Sequence, residues 1–371
     1  MRVPASATAA PGGQGWSIPR GLVVLLSLAS AVVIIAGLTA FSGVIGPTFL
    51  ALILTVAVQP VQSWTRQRGW PAWLGMLTAF VTVMLILVAL VGALALSVAQ
   101  LASQLPQYTD RLDALLDHAR GWLDAAGVSS DQIQKALHGI DVGKVVGLLD
   151  DLLGGVVGML SNLVFIVALL LFMAVDGMSI GQRMAVVAAD RPAIAQALTD
   201  FAYGTRKYLL VSTVFGAIVA VIDGGALWLM GVPLPLLWAL LSFITNYIPN
   251  VGFIIGVIPP ALLALLDSGP VLMVWVIVVY SVINFVIQSI IQPKFVGDAV
   301  GLSVTITFLS LVFWSWVLGG LGAVLAVPLT LLVKALLLDI DPSTRWADVL
   351  IGAPLPDREP PERDPDEEED S

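Results

Sequence analysis

The sequence predicts an all-α, polytopic integral membrane protein. Apolar residues make up 58% of the 371 residues and charged residues only 12%, against about 25% charged in an average soluble domain. Uncharged stretches separate Arg20 from Arg66, Arg68 from Asp110, Asp151 from Asp176, Asp223 from Asp267, Asp267 from Lys294, and Asp298 from Lys334. About 20 apolar residues span a bilayer. We therefore expect about six full transmembrane helices, two broken or re-entrant helical hairpins and a small extracytoplasmic helical segment.

The positions of basic residues predict the orientation. Arg2 and Arg20 precede the first apolar run and Arg66 and Arg68 follow the second, so the hairpin 21–61 is expected to begin and end in the cytoplasm. The expected order is a cytoplasmic N-terminus (1–20), three spans (21–100, the third being 70–99), an extracytoplasmic segment (101–151), a fourth span (152–175), a cytoplasmic segment (176–207), a transport core (208–338) and a cytoplasmic tail (339–371).

Two segments outside the spans have distinct compositions. Residues 101–151 carry eight acids and four bases and repeat apolar residues at helical spacing, which predicts amphipathic helices. Their apolar side can pack on the spans, lie in the lipid interface or join neighbouring subunits. His118 and His138 within this segment are interpreted as solvated surface residues. The tail ends in an acidic, proline-rich stretch, 357–371, which is expected to be disordered.

Two apolar stretches of the C-terminal half are broken near their middles. Residues 236–266 contain Asn-Tyr-Ile-Pro-Asn-Val-Gly at 246–252, and residues 302–338 contain Gly319, Gly320 and Gly322. Interrupted helix at membrane depth survives only where protein or water surrounds it. We interpret these stretches as re-entrant hairpins on either side of a full span, 270–291. The alternative is a single tilted helix in each stretch. Both interpretations place the C-terminus in the cytoplasm, so its location does not distinguish them.

A weak internal repeat relates the two broken stretches. Gly252 is followed by Pro259 and a leucine-rich arm, and Gly322 is followed by Pro328 and a similar arm. Low-complexity apolar sequence can produce such a match by chance. Discontinuous helices in two corresponding positions nevertheless indicate a transport site.

Asp223 is the one acid well inside a predicted span, 208–230. Ionised in hydrocarbon, it would cost about 2.5 to 3.5 kcal/mol or more. The residue either faces the protein interior, where it could couple transport to a proton or cation, or reaches the outer interface.

The other candidate residues are uncharged. Asn246 and Asn250 bracket Pro249, which interrupts the helical ladder, and their amides can close the turn or bind a polar solute. Asn284, Gln288 and Gln292 recur every four residues on one helix face, where they can join helices by hydrogen bonds or line a wet path. In the second broken stretch, Thr305 is a further pathway candidate, although the favoured interpretation is that Thr305 and Thr307 bond their own backbone.

Several kinds of chemistry have no support in the sequence. The chain has no cysteine, which excludes disulfides and thiolate metal sites. It has no phosphate-binding loop ending in Gly-Lys-Ser/Thr, no His-Glu-x-x-His motif, and no histidine in a predicted span. We expect no enzyme activity, no metal and no cofactor.

Three motifs of the C-terminal half resemble the autoinducer-2 exporter family, the PerM-like permeases of bacteria. They are Asn246 to Gly252 with Pro259 downstream, Gln292-Pro-Lys-Phe-Val-Gly297 followed by Val300-Gly301-Leu302, and Gly319 to Pro328. The resemblance implies a multi-pass inner-membrane transporter that forms a homo-oligomer, with a pentamer as one expected size. It also implies export of the signalling furanone or, for other members, sodium/proton antiport. Asp223 and the acidic tail lie outside the matching pattern.

The resulting hypothesis is a secondary transporter in a lipid bilayer that exports a small polar solute such as autoinducer-2. A sodium (or lithium)/proton antiporter is the alternative, and a non-transporting membrane scaffold is an alternative of another class. No nucleic-acid partner is expected. The candidate pathway residues are Asp223, Asn246, Asn250, Asn284, Gln288, Gln292 and Thr305, and the candidate break and tip residues are Pro249, Gly252, Pro259, Gly319, Gly320, Gly322 and Pro328.

Overall fold

The computed structural model describes residues 19–108, 142–249, 251–292 and 302–340, together with residues 111, 114, 117 and 121. Its principal helices are α1 (Arg20–Ala40), α2 (Ser42–Gln67), α3 (Ala72–Gln104), α4 (Val142–Gly177), α5 (Ile180–Asp190), α6 (Pro192–Leu229), α7 (Pro235–Thr245), α8 (Gly252–Ser268), α9 (Pro270–Asn284) and α10 (Val304–Lys334). A 3₁₀ turn, Leu105–Tyr108, follows α3, and π-helical turns, Phe285–Ile291 and Ala335–Asp339, extend α9 and α10.

By length and composition alone, six helices of the described ranges could cross a membrane, although the last of them is interrupted at Gly319. They cover residues 21–40, 42–67, 72–108, 192–229, 270–288 and 304–339. A seventh candidate is a bent pair, Asn162–Gly177 with Ile180–Asp190, whose helices meet at 60°. The prediction of an all-α, polytopic membrane protein is confirmed.

Two helices extend well beyond their predicted spans. The helix predicted over 152–175 begins at Val142, and the one predicted over 208–230 begins at Pro192. Proline is favoured in the first turn of a helix, where its missing N–H has no partner to lose. Apolar composition predicts the part of a helix that can cross lipid, whereas the helix itself extends beyond that part.

Residues 235–268 form a helical hairpin. Its arms, α7 and α8, lie side by side, because a Cβ atom added at Gly256 would lie 3.1 Å from the Thr245 hydroxyl and 3.8 Å from that of Ser242. At the turn, Gly252 is so close to the backbone of Thr245 that a Cβ would overlap its carbonyl oxygen. Glycine is required where two backbones approach this closely. The predicted break is therefore a fold-back between two helices.

The second broken stretch also reverses direction. Gly319 has φ 66° and ψ −145°, which is not helical. A Cβ at Gly322 would overlap the carbonyl of Trp314, although residues eight apart in a straight helix are separated by about 12 Å. The Trp314 indole also donates to the Thr330 hydroxyl at 3.0 Å. The two halves of α10 thus form a second hairpin.

The repeat seen in the sequence has a structural counterpart. Gly252 and Gly322 each begin the returning arm of a hairpin, and each packs on a carbonyl of the first arm. The first hairpin is joined directly to the N-terminal end of α9, whereas the second follows the C-terminal end of α9 in the chain. A single membrane-length helix therefore separates two hairpins of similar construction.

The first hairpin packs against other elements along one side. Its core contains Trp238, Ala261 and Ala264, packed with Leu227 of α6 and Val276 of α9. Ile248 and Val251, at its tip, contact the apolar core of the second hairpin, which includes Leu311, Trp314, Leu325 and Leu329. Protein therefore packs against the tip of the first hairpin.

Candidate functional site

The tip of the first hairpin is anchored to α6 by three polar contacts. The Asn246 side-chain amide donates to the carbonyl of Ser212 at 2.9 Å. The Tyr208 hydroxyl donates to the carbonyl of Tyr247 at 2.8 Å, and the Tyr247 hydroxyl lies 2.6 Å from that of Thr213. Backbone and side-chain groups released by the break therefore find partners within the protein, as membrane depth requires.

A chain of side-chain amides runs from this tip onto α9. Gln288 donates to the Oδ1 atom of Asn284 at 2.9 Å and to the Oδ1 atom of Asn246 at 3.3 Å. Asn284, in turn, donates to the carbonyl of Tyr280 at 2.9 Å. The structure thus brings together three of the sequence-predicted pathway residues, from α9 and from the break.

Gln288 lies in a π-helical segment, Phe285–Ile291. Such wide turns are rare, and they occur frequently at functional sites. Here the segment begins immediately after Asn284, so the amide chain crosses the junction between the α-helical and π-helical parts of one membrane-length helix. The wide turn sets how Gln288 is directed toward Asn246.

A small cavity lies beside the amide chain. Its lining includes Asn246, Asn284, Gln288, Ser242 and Tyr280, with Val219, Thr245, Phe253 and Gly256 completing the wall. The space enclosed is about the size of one water molecule. This is far smaller than the roughly 300 to 1,000 Å³ of a typical ligand site, so the site has no room for a larger solute in this conformation.

Asp223 is fully buried between α6 and α7. Its Oδ2 atom accepts a hydrogen bond of 2.9 Å from the Ser242 hydroxyl, whereas Oδ1 has no partner. The Tyr280 hydroxyl, also buried, lies within reach of Ser242 and near Asp223 but makes no close hydrogen bond. In the described part of the chain, the only other buried side-chain oxygen or nitrogen without a partner is the Thr205 hydroxyl.

The remaining predicted residues lie apart from this cavity. Gln292 is half-buried at the end of the π-helical segment, and Thr305 is exposed near the start of α10. Thr307 bonds the carbonyl of Ser303 at 3.0 Å, as one interpretation expected. Asn250 and most of the motif at 292–302 lie outside the described residues, as do His118, His138 and the acidic tail.

The break and tip residues have different environments. Pro249 is half-buried beside Asn246, Pro259 is half-buried within α8, and Gly252 is buried. In the second hairpin, Gly322 and Pro328 are buried, but Gly319 and Gly320 are exposed. None of these second-hairpin residues lines the cavity. The two breaks therefore meet through apolar contacts rather than around a shared polar site.

Ser242 and Tyr280 were not identified from the sequence, although a signal for each was present. Ser242 precedes Asn246 by four residues, and Tyr280 precedes Asn284 by four. Residues at this spacing share a helix face. Extending each polar stripe by one turn would have found both.

The fold and its buried polar chain define a multi-pass, α-helical membrane protein with an internal site. The family model for AI-2E family transporters matches residues 28–341. The chain belongs to this family, and it is a multi-pass transporter of the bacterial inner membrane.

Individual relatives match over most of their length. The chain is 33% identical to YhhT of Escherichia coli strain K12 over 315 residues, covering 85% of this chain and 90% of YhhT. It is 31% identical over 320 residues to the AI-2 transport protein TqsA of the same strain, covering 85% and 91%. YrrI of Bacillus subtilis strain 168 is 24% identical over 305 residues, covering 79% and 85%.

Proposed function

We propose that this protein is a secondary transporter that exports a small polar solute, with autoinducer-2 as the first candidate. The observation that carries the proposal is the amide chain formed by Asn246, Gln288 and Asn284 at an interrupted helix. Amides both donate and accept hydrogen bonds, so they suit a solute rich in hydroxyl and carbonyl groups. TqsA, named for AI-2 transport, supports the choice of first candidate.

The small cavity corresponds, in this proposal, to a state that holds no solute. A solute larger than a water molecule enters only when the first hairpin or α9 moves, and the bonds between Gln288 and Asn246 then break or lengthen. The solute's own polar groups replace those bonds. The same proposal includes the export direction, cytoplasmic termini and a homo-oligomeric assembly, with a pentamer as one expected size.

The test is transport in proteoliposomes. Purified protein is reconstituted, loaded with labelled autoinducer-2, and compared with a panel of sugars and amino acids of similar size. We expect loss of autoinducer-2 from the vesicles and about a tenfold slower rate for Asn246→Ala or Gln288→Ala, the effect of removing an interaction of ~1.4 kcal/mol. Asn162→Ala, an exposed amide on α4, is the matched control. Equal rates in all variants would contradict the proposed pathway.

A sodium (or lithium)/proton antiporter is the second candidate, because Asp223 is a fully buried carboxyl group. In that case sodium alone collapses an imposed pH gradient in vesicles that contain no organic solute, and Asp223→Asn abolishes the effect. A membrane scaffold is a third candidate of another class. Deleting 357–371 tests it, because a transporter retains its flux without this tail.

A further inference from the structure

Asp223, Ser242 and Tyr280 form one buried polar cluster, in which Asp223 and Tyr280 each keep one polar atom without a close hydrogen bond. The three side chains come from three helices, α6, α7 and α9, and the exposed fractions of Asp223, Ser242 and Tyr280 are 0%, 4% and 1%. The unpartnered atoms are Oδ1 of Asp223 and the hydroxyl of Tyr280. Leaving a polar atom buried and unpaired costs about 1 to 3 kcal/mol, so two in one cluster indicate that a further group belongs there.

Among the described residues, no basic side chain lies beside Asp223. The described residues of α7, α8 and α9 include no lysine, arginine or histidine, and Asp267 at the end of α8 is their only charged residue. On α6 the nearest base is Lys207, which precedes Asp223 by 16 residues and is therefore about 24 Å away along the helix. The polar groups that lie near Asp223 from α7 and α9 are the neutral hydroxyls of Ser242 and Tyr280. An ionised carboxyl group buried with only neutral partners is unfavourable unless a cation joins it.

We propose that Asp223, Ser242 and Tyr280 form a binding site for one monovalent cation, either a proton or a sodium ion. Asp223 supplies the negative charge, Ser242 orients the carboxylate through its bond to Oδ2, and Tyr280 supplies a neutral oxygen. The adjoining space, which Ser242 and Tyr280 line, is about the size of a water molecule. Asp223 itself does not line this space. A bare cation is small enough to reach its carboxyl group past the Ser242 and Tyr280 hydroxyls, whereas a larger organic cation is not.

The cation site is adjacent to the proposed solute site. Ser242 precedes Asn246 by four residues, and Tyr280 precedes Asn284 by the same interval. The two sites therefore share the first hairpin and α9 and are separated by about one helical turn, or 5.4 Å. Cation binding draws α6, α7 and α9 together at Asp223, which biases the position of the amide chain. That this site couples cation binding to solute transport rests on the proposed function. Cation binding itself does not depend on it.

Cation binding is tested on purified protein without any solute. Radioactive sodium binding and proton release on sodium addition are measured for the wild type and for Asp223→Asn, Tyr280→Phe and Ser242→Ala. We expect saturable binding that Asp223→Asn abolishes, and an affinity about tenfold weaker in Tyr280→Phe. Tyr203→Phe, on an exposed residue (62%) of the same helix as Asp223, is the control. Sodium binding identifies a sodium site, whereas proton uptake that Asp223→Asn removes, without sodium binding, identifies a proton site.

Two results would overturn the cation site. One is a wild-type protein with neither sodium binding nor proton uptake that depends on Asp223. The other is unchanged cation affinity in Tyr280→Phe, which is decisive even if Asp223→Asn does not fold. Coupling is tested separately in vesicles, where Asp223→Asn should lose accumulation driven by an ion gradient and retain solute exchange. Absence of any solute flux in the wild type would instead count against the proposed function alone.

Discussion

Gly252 lies directly against the backbone carbonyl of Thr245, leaving no room for a side-chain carbon between them. The contact closes the turn of the first hairpin and places Asn246 next to Ser212 of α6. Gly322 and Trp314 make the equivalent contact in the second hairpin. Both hairpins therefore need a glycine at the turn, where the two backbones touch.

Replacing either of these glycines by alanine should destabilise the protein. Overpacking typically costs about 1 to 3 kcal/mol, and the upper end is expected because a backbone carbonyl cannot move aside as a side-chain end can. Thermal unfolding in detergent measures the effect for Gly252→Ala and Gly322→Ala. Gly225→Ala, where the added carbon meets open space, should change the midpoint little. Equal midpoints in all three variants would show that the turns relax freely.

Gly216→Ala should slow transport more than it affects folding. A Cβ at this position would lie 3.0 Å from the amide nitrogen of Asn246 and 3.3 Å from its Cβ, so Asn246 must shift by a few tenths of an ångström. Weakening its bonds by ~1 kcal/mol corresponds to a rate about five times lower. Vesicle flux and unfolding are measured together, with Gly225→Ala as the control. A normal flux would mean that the position of Asn246 is not critical.

Tyr208→Phe should destabilise the tip of the first hairpin. The substitution removes the hydrogen bond of 2.8 Å to the carbonyl of Tyr247 and leaves that acceptor without this donor, at a cost of about 1 to 3 kcal/mol. Hydrogen exchange of the backbone at 246–249 should increase in this variant. The control is Tyr203→Phe, because Tyr203 is exposed and its exchange should match the wild type. An equal increase in both variants would show that the Tyr208 hydrogen bond does not hold the tip in place.

The contact between the end of α3 and the first hairpin should depend on packing more than on charge. Tyr108 is 5% exposed and donates to Asp267 at 3.2 Å. Arg111 donates to the carbonyl of Asp267 and forms an ion pair of 3.8 Å with its carboxylate from an exposed position. Arg111→Ala should cost less than about 1 kcal/mol, whereas Tyr108→Ala should cost about 3 to 5 kcal/mol, as for other buried aromatic residues. Thermal unfolding distinguishes them, and a larger loss in Arg111→Ala would reverse the interpretation.

Cysteine labelling tests the orientation, because the chain has no cysteine of its own. Ser268, exposed at the end of α8, should react as Ser268→Cys with an impermeant reagent added outside cells. Gln182→Cys, on exposed α5, should react only after the membrane is opened. The opposite pattern would invert the proposed topology, and cytoplasmic labelling at both positions would mean that residues 236–266 cross the membrane once.

The sequence predicted the two breaks well because proline and clustered glycine disrupt the helical ladder wherever they occur. It also predicted the amide stripe, since Asn284 and Gln288 are four residues apart on one helix. The pairing of Asp223 with Ser242 could not be predicted in this way, because the two residues are on different helices and only the packing of α6 along α7 brings them together. The π-helical segment at 285–291 could not be predicted either, because its composition does not differ from that of an ordinary apolar helix. The sequence likewise gives no sign that Gly319 is exposed.

That π-helical segment gives α9 one residue more than an α-helix of the same length requires. A wide turn of this kind can migrate along a helix while both ends stay in place, and each residue it passes rotates by about 100° around the axis. Gln288 lies within the segment, so a shift of one position would swing its amide away from Asn246 without unwinding the membrane crossing. Migration of the wide turn would therefore reorient the side chain that links α9 to Asn246 of the first hairpin.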